Sequence, residues 1–263
     1  MSGAAVRALL VDLDGVLYVE DEPIPGAVEA VRAFRDAGVG LRFVTNTTQR
    51  SRGDTLAKLE RLGMPVGPEE LITPAVLAVE HCRAQGHERV ALLMADDVKA
   101  DFAGLSEAED GVDAVVVGDL GERFDYTVLN RAFRLILDGA ELIALQRNRY
   151  WLRTDGLALD VGPFVAALEY AADVEAVVVG KPAPAFFLLA LSQLGVEPGD
   201  AAMVGDDVES DIGGAMRAGL RGVLVRTGKF REDAAAAADP PPTDVVASIA
   251  DVPTLLGVAS AGR

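Results

Sequence analysis

The sequence predicts an α/β fold in which a doubly wound parallel sheet carries a second, inserted α/β domain. Short, β-rich apolar runs alternate along the chain with amphipathic helical segments, a pattern typical of parallel sheets with crossover helices. The predicted strands are almost continuously apolar, as expected for strands covered on both faces. Half of the 263 residues are hydrophobic, which is enough for a sizeable core.

The first and last parts of the chain supply the main sheet. Its predicted strands are Ala8–Val11, Leu41–Thr45, Ala176–Val179, Ala201–Val204 and Gly222–Val225. Helices are predicted between strands from apolar spacing over 28–37, 56–62 and 186–194, and each of them ends at a glycine.

The middle third has elements of its own and predicts the inserted domain. A helix begins with an N-cap threonine and a proline, Thr73 and Pro74, and runs to about Gly86. Strands over 90–94, 114–117 and 141–146 and helices over 128–137 and 163–172 follow it. We therefore expect residues 1–74 and 179–263 to form the core domain and residues 75–178 to form the inserted α/β domain.

Charge and composition disfavour several classes of function. The net charge of −17, from 24 basic and 41 acidic residues, disfavours binding to nucleic acid or to anionic membranes. A small anionic substrate then requires a local positive centre, which a divalent metal held by carboxylates would supply. The sequence has no apolar run of membrane-spanning length and no recognisable signal-peptide cleavage site. With its single cysteine, Cys82, it predicts a cytoplasmic protein.

Two carboxylates stand at the end of the first predicted strand. Asp12 and Asp14, in VDLDG, share one face of that strand, and Gly15 then allows a sharp turn. Two like charges this close need a cation or a proton between them. A calcium loop of the EF-hand type is excluded, because the glycine is misplaced and the final glutamate is missing.

Polar side chains also follow three other predicted strands. They are Thr45 and Asn46 after the second strand, Lys181 after VVVG, and Asp206, Asp207, Glu209 and Asp211 in GDDVESD. Because ligands bind at the carboxyl edge of open α/β sheets, we expect these groups to meet there. Carboxylate oxygens at this density favour Mg²⁺.

The four motifs, in this order, resemble the signatures of the haloacid dehalogenase superfamily of phosphotransferases: DLDGVLY, FVTNTT, GKP and GDDVESDIGGA. The long insertion between the second and third motifs resembles the type IIA cap branch. Within that branch the chain looks most similar to the phospholysine phosphohistidine inorganic pyrophosphate phosphatase group, through LNRAFRLILDGAELIAL, DGLALDVGPFVAALEYA and KPAPAFFLLAL. The resemblance implies a Rossmann-like core, an α/β cap domain and phosphatase activity.

The resemblance also implies a role for each matching residue. Asp12 would be the nucleophile that forms an aspartyl-phosphate, and Asp14 would protonate the leaving group and later activate water. Thr45 and Asn46 would hold the phosphoryl oxygens. Lys181 would neutralise charge and orient Asp12.

The implied cofactor is Mg²⁺. It would be held by Asp12, the main-chain carbonyl of Asp14 and Asp206, with Asp207 or Asp211 supporting it through water. A carboxylate attacks an anionic phosphate poorly unless the repulsion is screened, which the metal and Lys181 would do. The substrate would be a small phosphomonoester, a phosphoamino acid or pyrophosphate, and the sequence does not distinguish among them.

Other interpretations stay open at this point. A receiver-like phospho-acceptor domain carries similar acids, but the insertion of about 100 residues argues against it. A phosphomutase of the same superfamily or an inactive scaffold would share the fold. Two hypotheses concern the cap: that Arg147, Arg149, Trp151 and Arg153 read the leaving group, and that an apolar cap surface forms a homodimer.

Overall fold

The structure is a computed structural model that describes residues 6–153 and 156–258. Contacts between residues divide the chain into two compact units. The first unit contains the residues up to Thr45, Leu56–Ile72 and the residues from Lys181 onward, and the second contains Asn46–Thr55 and Thr73–Gly180. None of the described helices is long and apolar enough to cross a lipid bilayer.

Strands and helices alternate along most of the chain. The strands are β1 Ala8–Asp12, β2 Tyr18–Val19, β3 Glu22–Pro23, β4 Gly40–Val44, β5 Leu71–Ile72, β6 Arg89–Leu93, β7 Ser106–Glu107, β8 Ala114–Val117, β9 Glu141–Ala144, β10 Tyr150–Arg153, β11 Gly156–Leu159, β12 Val177–Val178, β13 Ala201–Gly205, β14 Arg221–Val225 and β15 Asp244–Val246. The α-helices are α1 Ala27–Asp36, α2 Arg52–Arg61, α3 Pro74–Gln85, α4 Asp96–Lys99, α5 Tyr126–Leu137, α6 Val161–Ala172, α7 Pro184–Ser192, α8 Gly214–Arg217, α9 Glu232–Ala237 and α10 Val252–Leu255. A π-helical segment, Val208–Gly213, leads into α8.

The first unit is built around a six-stranded parallel sheet. Its strand order is β15-β14-β13-β1-β4-β5, so β1 lies between two strands that run parallel to it. All five residues of β1 are buried, and apolar side chains of the sheet and of α1 form the surrounding core. Because the strands are parallel, their carboxyl ends share one edge, where Asp12 lies opposite Val44 of β4.

The second unit has a sheet of five parallel strands, in the order β12-β9-β8-β6-β7. All of β8 is buried, and α5 and α6 share its core cluster through Ala132, Ile136 and Val165. Helix α3 begins as predicted, because the side chain of Thr73 accepts a hydrogen bond from the backbone N–H of Val76. The predicted α/β class with parallel sheets is therefore confirmed.

One predicted strand belongs to a different sheet from the one expected. The sequence places Ala176–Val179 among the strands of the main sheet, and that assignment is wrong, because β12 pairs with β9 in the second unit. An apolar run does not identify its partner strand, since all buried parallel strands have a similar composition. Lys181 therefore follows a strand of the second sheet and not one of the six-stranded sheet.

The boundaries of the two units differ in part from the predicted domain ranges. The predicted insertion, 75–178, lies within the second unit, but that unit also includes Asn46–Thr55. The sequence assigns this segment to the core because it directly follows the apolar strand β4.

Candidate active site

Lys181 lies at the centre of a buried ionic cluster in the first unit. Its Nζ donates to Oδ1 of Asp12 at 2.5 Å and to Oδ1 of Asp211 at 2.6 Å. Asp12 is the last residue of β1, and Asp211 lies in the π-helical segment after β13. All three side chains are less than a tenth exposed. Charge-assisted hydrogen bonds thus join three residues that are distant in sequence.

A third carboxylate, Asp206, completes the cluster. It follows the last residue of β13 directly and is buried. Carboxylate oxygens of Asp12, Asp206 and Asp211 lie within 4.8 Å of one another. Within residues 6–153 and 156–258, no other three acidic, histidine or cysteine side chains come this close. The predicted meeting of Asp12 with Asp206 is therefore present in the structure.

Two turns hold the Asp206 carboxylate by close backbone approach. Gly15 and Gly228 have φ angles of +81° and +61°, and a Cβ atom on them would lie 1.9 Å and 2.0 Å from Oδ2 of Asp206. The same oxygen accepts a hydrogen bond from the backbone N–H of Lys229 at 2.7 Å. The hydroxyl of Thr227 donates to the carbonyl of Gly15, which joins the two turns. Only glycine fits at these two positions.

Burial and mutual repulsion favour protons on the clustered acids. Burial, together with the charges of Asp12 and Asp211, raises the pKa of Asp206 to about 8. Burial and the charge of Asp12 raise the pKa of Asp211 to about 7. Burial also raises the pKa of Asp12, although Lys181 opposes that shift. Desolvation disfavours the charged form of Lys181, but the two carboxylates outweigh it and raise the pKa of the ammonium.

The other predicted residues occupy different positions. Asp14 lies beyond the end of β1, is exposed, and accepts a hydrogen bond from the Tyr18 hydroxyl at 3.3 Å. Thr45 directly follows β4 and is buried in the first unit. Asn46 is grouped with the second unit, where its Oδ1 lies 3.0 Å from the place of a Cβ atom on Gly180. The carboxylate of Asp14 is not one of the three clustered acids.

The structure distinguishes the two acids that the sequence leaves open as supports for a metal. Asp211 belongs to the cluster, whereas Asp207 caps the following turn. Its Oδ1 accepts hydrogen bonds from the backbone N–H groups of Glu209 and Ser210 at 2.9 Å and 3.0 Å. Asp207 is thus a helix cap, and Asp211 is the acid beside the metal-ligand candidates.

Sequence reasoning missed Lys229, which lies in the turn after β14. Desolvation opposes its charge, but Asp206 and Asp12 outweigh that effect and raise the pKa of Lys229. The signal that could have found it is its position, because it follows a predicted core strand at the same carboxyl edge.

The hypothesis about the cap arginines stays a prediction. Arg147 forms an ion pair with Glu169 at 2.5 Å within the second unit. Arg149 is exposed. The side chains of Trp151 and Arg153 lie outside the part of the chain that the structure describes.

The clustered acids fit a magnesium ion. Hard carboxylate oxygens are the ligands that Mg²⁺ prefers in proteins. Three ionised carboxylates against the ammonium groups of Lys181 and Lys229 leave one negative charge, so the cluster attracts a cation. The carboxylates of Asp12 and Asp206 are the side chains that could hold the ion, with Asp211 beside them.

Two family models match the chain. Residues 9–106 match a model described as haloacid dehalogenase-like hydrolase, and residues 178–252 match a HAD-hydrolase-like model. Together the two matches span more than half of the chain.

Curated relatives are similar over most of their length. The chain is 48% identical over 227 residues to "Haloacid dehalogenase-like hydrolase domain-containing protein 2" of Bos taurus, which covers 86% of each chain. It is 44% identical over 233 residues to the phospholysine phosphohistidine inorganic pyrophosphate phosphatase of Xenopus laevis, covering 86% of this chain and 85% of that protein. The likeness to the second group is thus present, at a lower identity than to the first.

Solved structures have the same fold over nearly the whole chain. The p-nitrophenyl phosphatase from Archaeoglobus fulgidus superimposes with a TM-score of 0.89 at 27% identity, covering 95% of this chain and 99% of that one. The glycerol phosphate phosphatase from Mycobacterium tuberculosis, solved in complex with magnesium, gives a TM-score of 0.82 at 30% identity, covering 94% and 77%.

Proposed function

Because the chain belongs to the type IIA branch of the haloacid dehalogenase-like hydrolases and is a phosphatase like its relatives, we propose that it hydrolyses a small phosphomonoester with Mg²⁺. The reaction passes through an aspartyl-phosphate on Asp12. The observation that carries this proposal is the buried contact of Lys181 with both Asp12 and Asp211. It gives a carboxylate nucleophile a fixed cation at the end of the central strand.

In the first step, a carboxylate oxygen of Asp12 attacks phosphorus and the bond from phosphorus to the leaving-group oxygen breaks. Asp14 gives its proton to that oxygen, so the leaving group departs as an alcohol. In the second step, water attacks phosphorus and gives a proton to Asp14, and the bond from phosphorus to the Asp12 oxygen breaks. Inorganic phosphate leaves, and both acids return to their starting states.

The remaining residues bind and screen the phosphoryl group. Thr45 and Asn46 donate hydrogen bonds to its oxygens, and Lys181 neutralises charge while it orients Asp12. Asp12, Asp206 and the main-chain carbonyl of Asp14 would hold Mg²⁺. When bound, the ion supplies Lewis-acid stabilisation of the negative charge on the phosphoryl oxygens.

The substrate is a small phosphorylated metabolite, with a phosphoamino acid or pyrophosphate as members of the same class. In this proposal residues 1–74 and 179–263 are the catalytic core and residues 75–178 are the cap that selects the leaving group. A protein with this composition and a buried lone cysteine fits the cytoplasm. We also infer a homodimer, joined through the exposed apolar face of the hairpin that β10 and β11 form.

A phosphate-release screen tests the proposal. Wild-type protein is incubated with a set of metabolite phosphates, with Mg²⁺ and with excess chelator, alongside Asp12→Asn and the exposed control Asp138→Asn. We expect steady turnover that requires Mg²⁺, is lost in Asp12→Asn and is retained in the control. Rapid acid quench should trap one phosphoryl group on the wild-type chain, and mass spectrometry should detect it.

Three results would contradict the proposal. They are turnover that survives Asp12→Asn, a single phosphorylation without turnover, as in a receiver domain, and transfer of the phosphoryl group between two positions of a sugar phosphate without release of phosphate.

A further inference from the structure

Lys58 of helix α2 contacts the ring of Tyr18, and the hydroxyl of Tyr18 contacts Asp14. We propose that Tyr18 is a positioning residue for Asp14, and that Lys58 holds the Tyr18 phenol as a hydrogen-bond donor. This proposal deepens the proposed function and rests on it, because Asp14 matters as the acid and base of that reaction. All three residues belong to the first unit.

The turn between Asp14 and Tyr18 fixes the two side chains next to each other. Tyr18 is 3% exposed, and its hydroxyl donates to Oδ2 of Asp14 at 3.3 Å. The backbone N–H of Gly15 donates to the carbonyl of Tyr18 at 2.8 Å, and the N–H of Leu17 donates to the carbonyl of Leu13 at 2.8 Å. Because these bonds close the turn, the ring and the carboxylate keep their separation.

Asp14 needs such a restraint, because it is exposed and lies beyond the last residue of β1. Proton transfer requires the carboxyl group to stay within hydrogen-bond reach of the leaving-group oxygen. The Tyr18 hydroxyl occupies Oδ2 and leaves Oδ1 to carry the proton. Oδ1–H protonates the leaving-group oxygen in the first step, and Oδ1 accepts a proton from water in the second. Tyr18 keeps its own proton throughout.

Lys58 packs on the face of the same phenol. Its Nζ lies 3.9 Å from the centre of the Tyr18 ring, and its side chain is 7% exposed. It also lies 3.6 Å from Asp21, but that side chain is 86% exposed and water screens the pair. A buried ammonium requires a partner, and the ring face is within cation–π range. The cation draws electron density from the ring, which makes the phenol O–H a stronger donor.

The dependence of the rate on the leaving group separates positioning from a merely structural role. A p-nitrophenolate departs without a proton, whereas phenolate departs poorly unless Asp14 protonates it. We expect Tyr18→Phe to lower the single-turnover rate of phenol release from phenyl phosphate about tenfold. The rate of p-nitrophenol release should fall less than about twofold, with substrate affinity unchanged.

Matched variants control the measurement. Tyr126→Phe removes a hydroxyl from a residue of the second unit that is 82% exposed, and it should change neither rate. Lys58→Met should give the pattern of Tyr18→Phe at smaller amplitude, and Lys58→Arg should restore the wild-type ratio. In an Asp14→Asn background, Tyr18→Phe should add no further selective loss, because the residue it positions is absent.

An equal loss on both esters overturns the positioning role, and so does a selective loss that persists in the Asp14→Asn background. Thermal unfolding reports whether each variant is folded, and the two Lys58 variants carry the test if Tyr18→Phe is not. A wild-type protein that releases neither phenol, and no phosphate from the metabolite phosphates of the screen, overturns the proposed function and with it this inference. Turnover of both esters with a uniform loss in the variants overturns this inference alone.

Discussion

At the scale of single residues, the site depends on Lys181, which bonds two buried carboxylates at once. Buried acids without a partner carry a large desolvation cost and take up protons. A protonated Asp12 cannot attack phosphorus. In the proposed reaction, the ammonium of Lys181 therefore supports both the orientation and the charge of Asp12.

Replacing this ammonium should remove most of the activity. We expect Lys181→Met to lower kcat about 100- to 1,000-fold, the range seen when one preorganised electrostatic contact to the reacting group is lost. Lys181→Arg should not restore it, because a planar guanidinium cannot replace a compact ammonium between two buried oxygens. Steady-state kinetics with Lys99→Met as control, a lysine paired with Glu107 in the second unit, checks this. A fall of only a few-fold in Lys181→Met would contradict it.

The sequence predicts most of this site but not all of it. Asp12, Lys181 and Asp206 could be predicted to meet, because each stands where an apolar strand-like run ends. Asp207 and Asp211 could not be separated, because spacing does not tell which side chain a π-helical segment directs inward. Lys229 was missed because one lysine in a surface turn carries no signal until the fold places that turn beside Asp206.

At the scale of elements, the turns that follow β1 and β14 shape the metal-ligand candidate Asp206. Each turn brings a glycine against Oδ2 of that carboxylate, and Thr227 joins the two turns through the carbonyl of Gly15. A side chain at either glycine, Gly15 or Gly228, would displace the Asp206 carboxylate from the cluster. The turns thus determine where the acid lies, although they supply no ligand side chain of their own.

A pair of glycine variants isolates this effect. Gly228→Ala places a Cβ atom 2.0 Å from Oδ2 of Asp206, whereas Gly195→Ala, at nearly the same φ, meets no atom within 4 Å. Both variants pay the strain of a positive φ, which is about 1 kcal/mol. Only Gly228→Ala should weaken Mg²⁺ activation, by about tenfold or more, since the displaced carboxylate is a proposed ligand of the ion. Titration of activity with Mg²⁺ checks this, and equal midpoints for the two variants would contradict it.

Element prediction succeeded where burial is complete and failed where pairing is short. The ends of β1, β8 and β13 were predicted to within one residue, because long apolar runs between turn residues are unambiguous. β5 has two residues and was not predicted, and β12 was assigned to the wrong sheet. A two-residue ladder depends on which strand lies beside it, and a sequence pattern does not contain that information.

At the scale of the whole molecule, one hairpin has an exposed apolar face that we expect to join two chains. Strands β10 and β11 pair with each other and with no further strand in the described part of the chain. Tyr150 lies opposite Leu159, Leu157 shares their face, and the three side chains are 53–70% exposed. An isolated two-stranded hairpin is marginally stable in water, so an apolar face on it favours a partner.

We expect the protein to be a homodimer that this face holds together. Leu157→Glu combined with Leu159→Glu should give a monomer, because two charges cannot be buried in an apolar interface without partners. Leu137→Glu, on a side chain 59% exposed at the end of α5, is the control and should leave the dimer intact. Light scattering after size-exclusion chromatography measures the mass. A wild-type monomer, or a dimer that persists in the double variant, would show that this face is not the interface.

The buried acids also couple the stability of the whole molecule to pH and to Mg²⁺. Burial raises the pKa of Asp206 to about 8 and that of Asp211 to about 7, from 3.8 in the unfolded chain. Between about pH 4 and pH 8 the metal-free folded protein therefore binds more protons than the unfolded chain. Its free energy of unfolding should fall as pH rises through this window.

Magnesium should reverse this trend, because in the proposed site the ion would bind the ionised acids of the folded state in competition with protons. At an ion concentration about 100 times Kd the stabilisation is about 3 kcal/mol, and it should be largest near pH 8 and vanish near pH 5. Urea unfolding at several pH values, with and without Mg²⁺, measures both slopes. In Asp206→Asn the slope without metal should be shallower and the Mg²⁺ effect largely lost, whereas Asp138→Asn should match wild type. A metal-free protein that gains stability from pH 5 to pH 8 would show that these acids are already ionised without the ion.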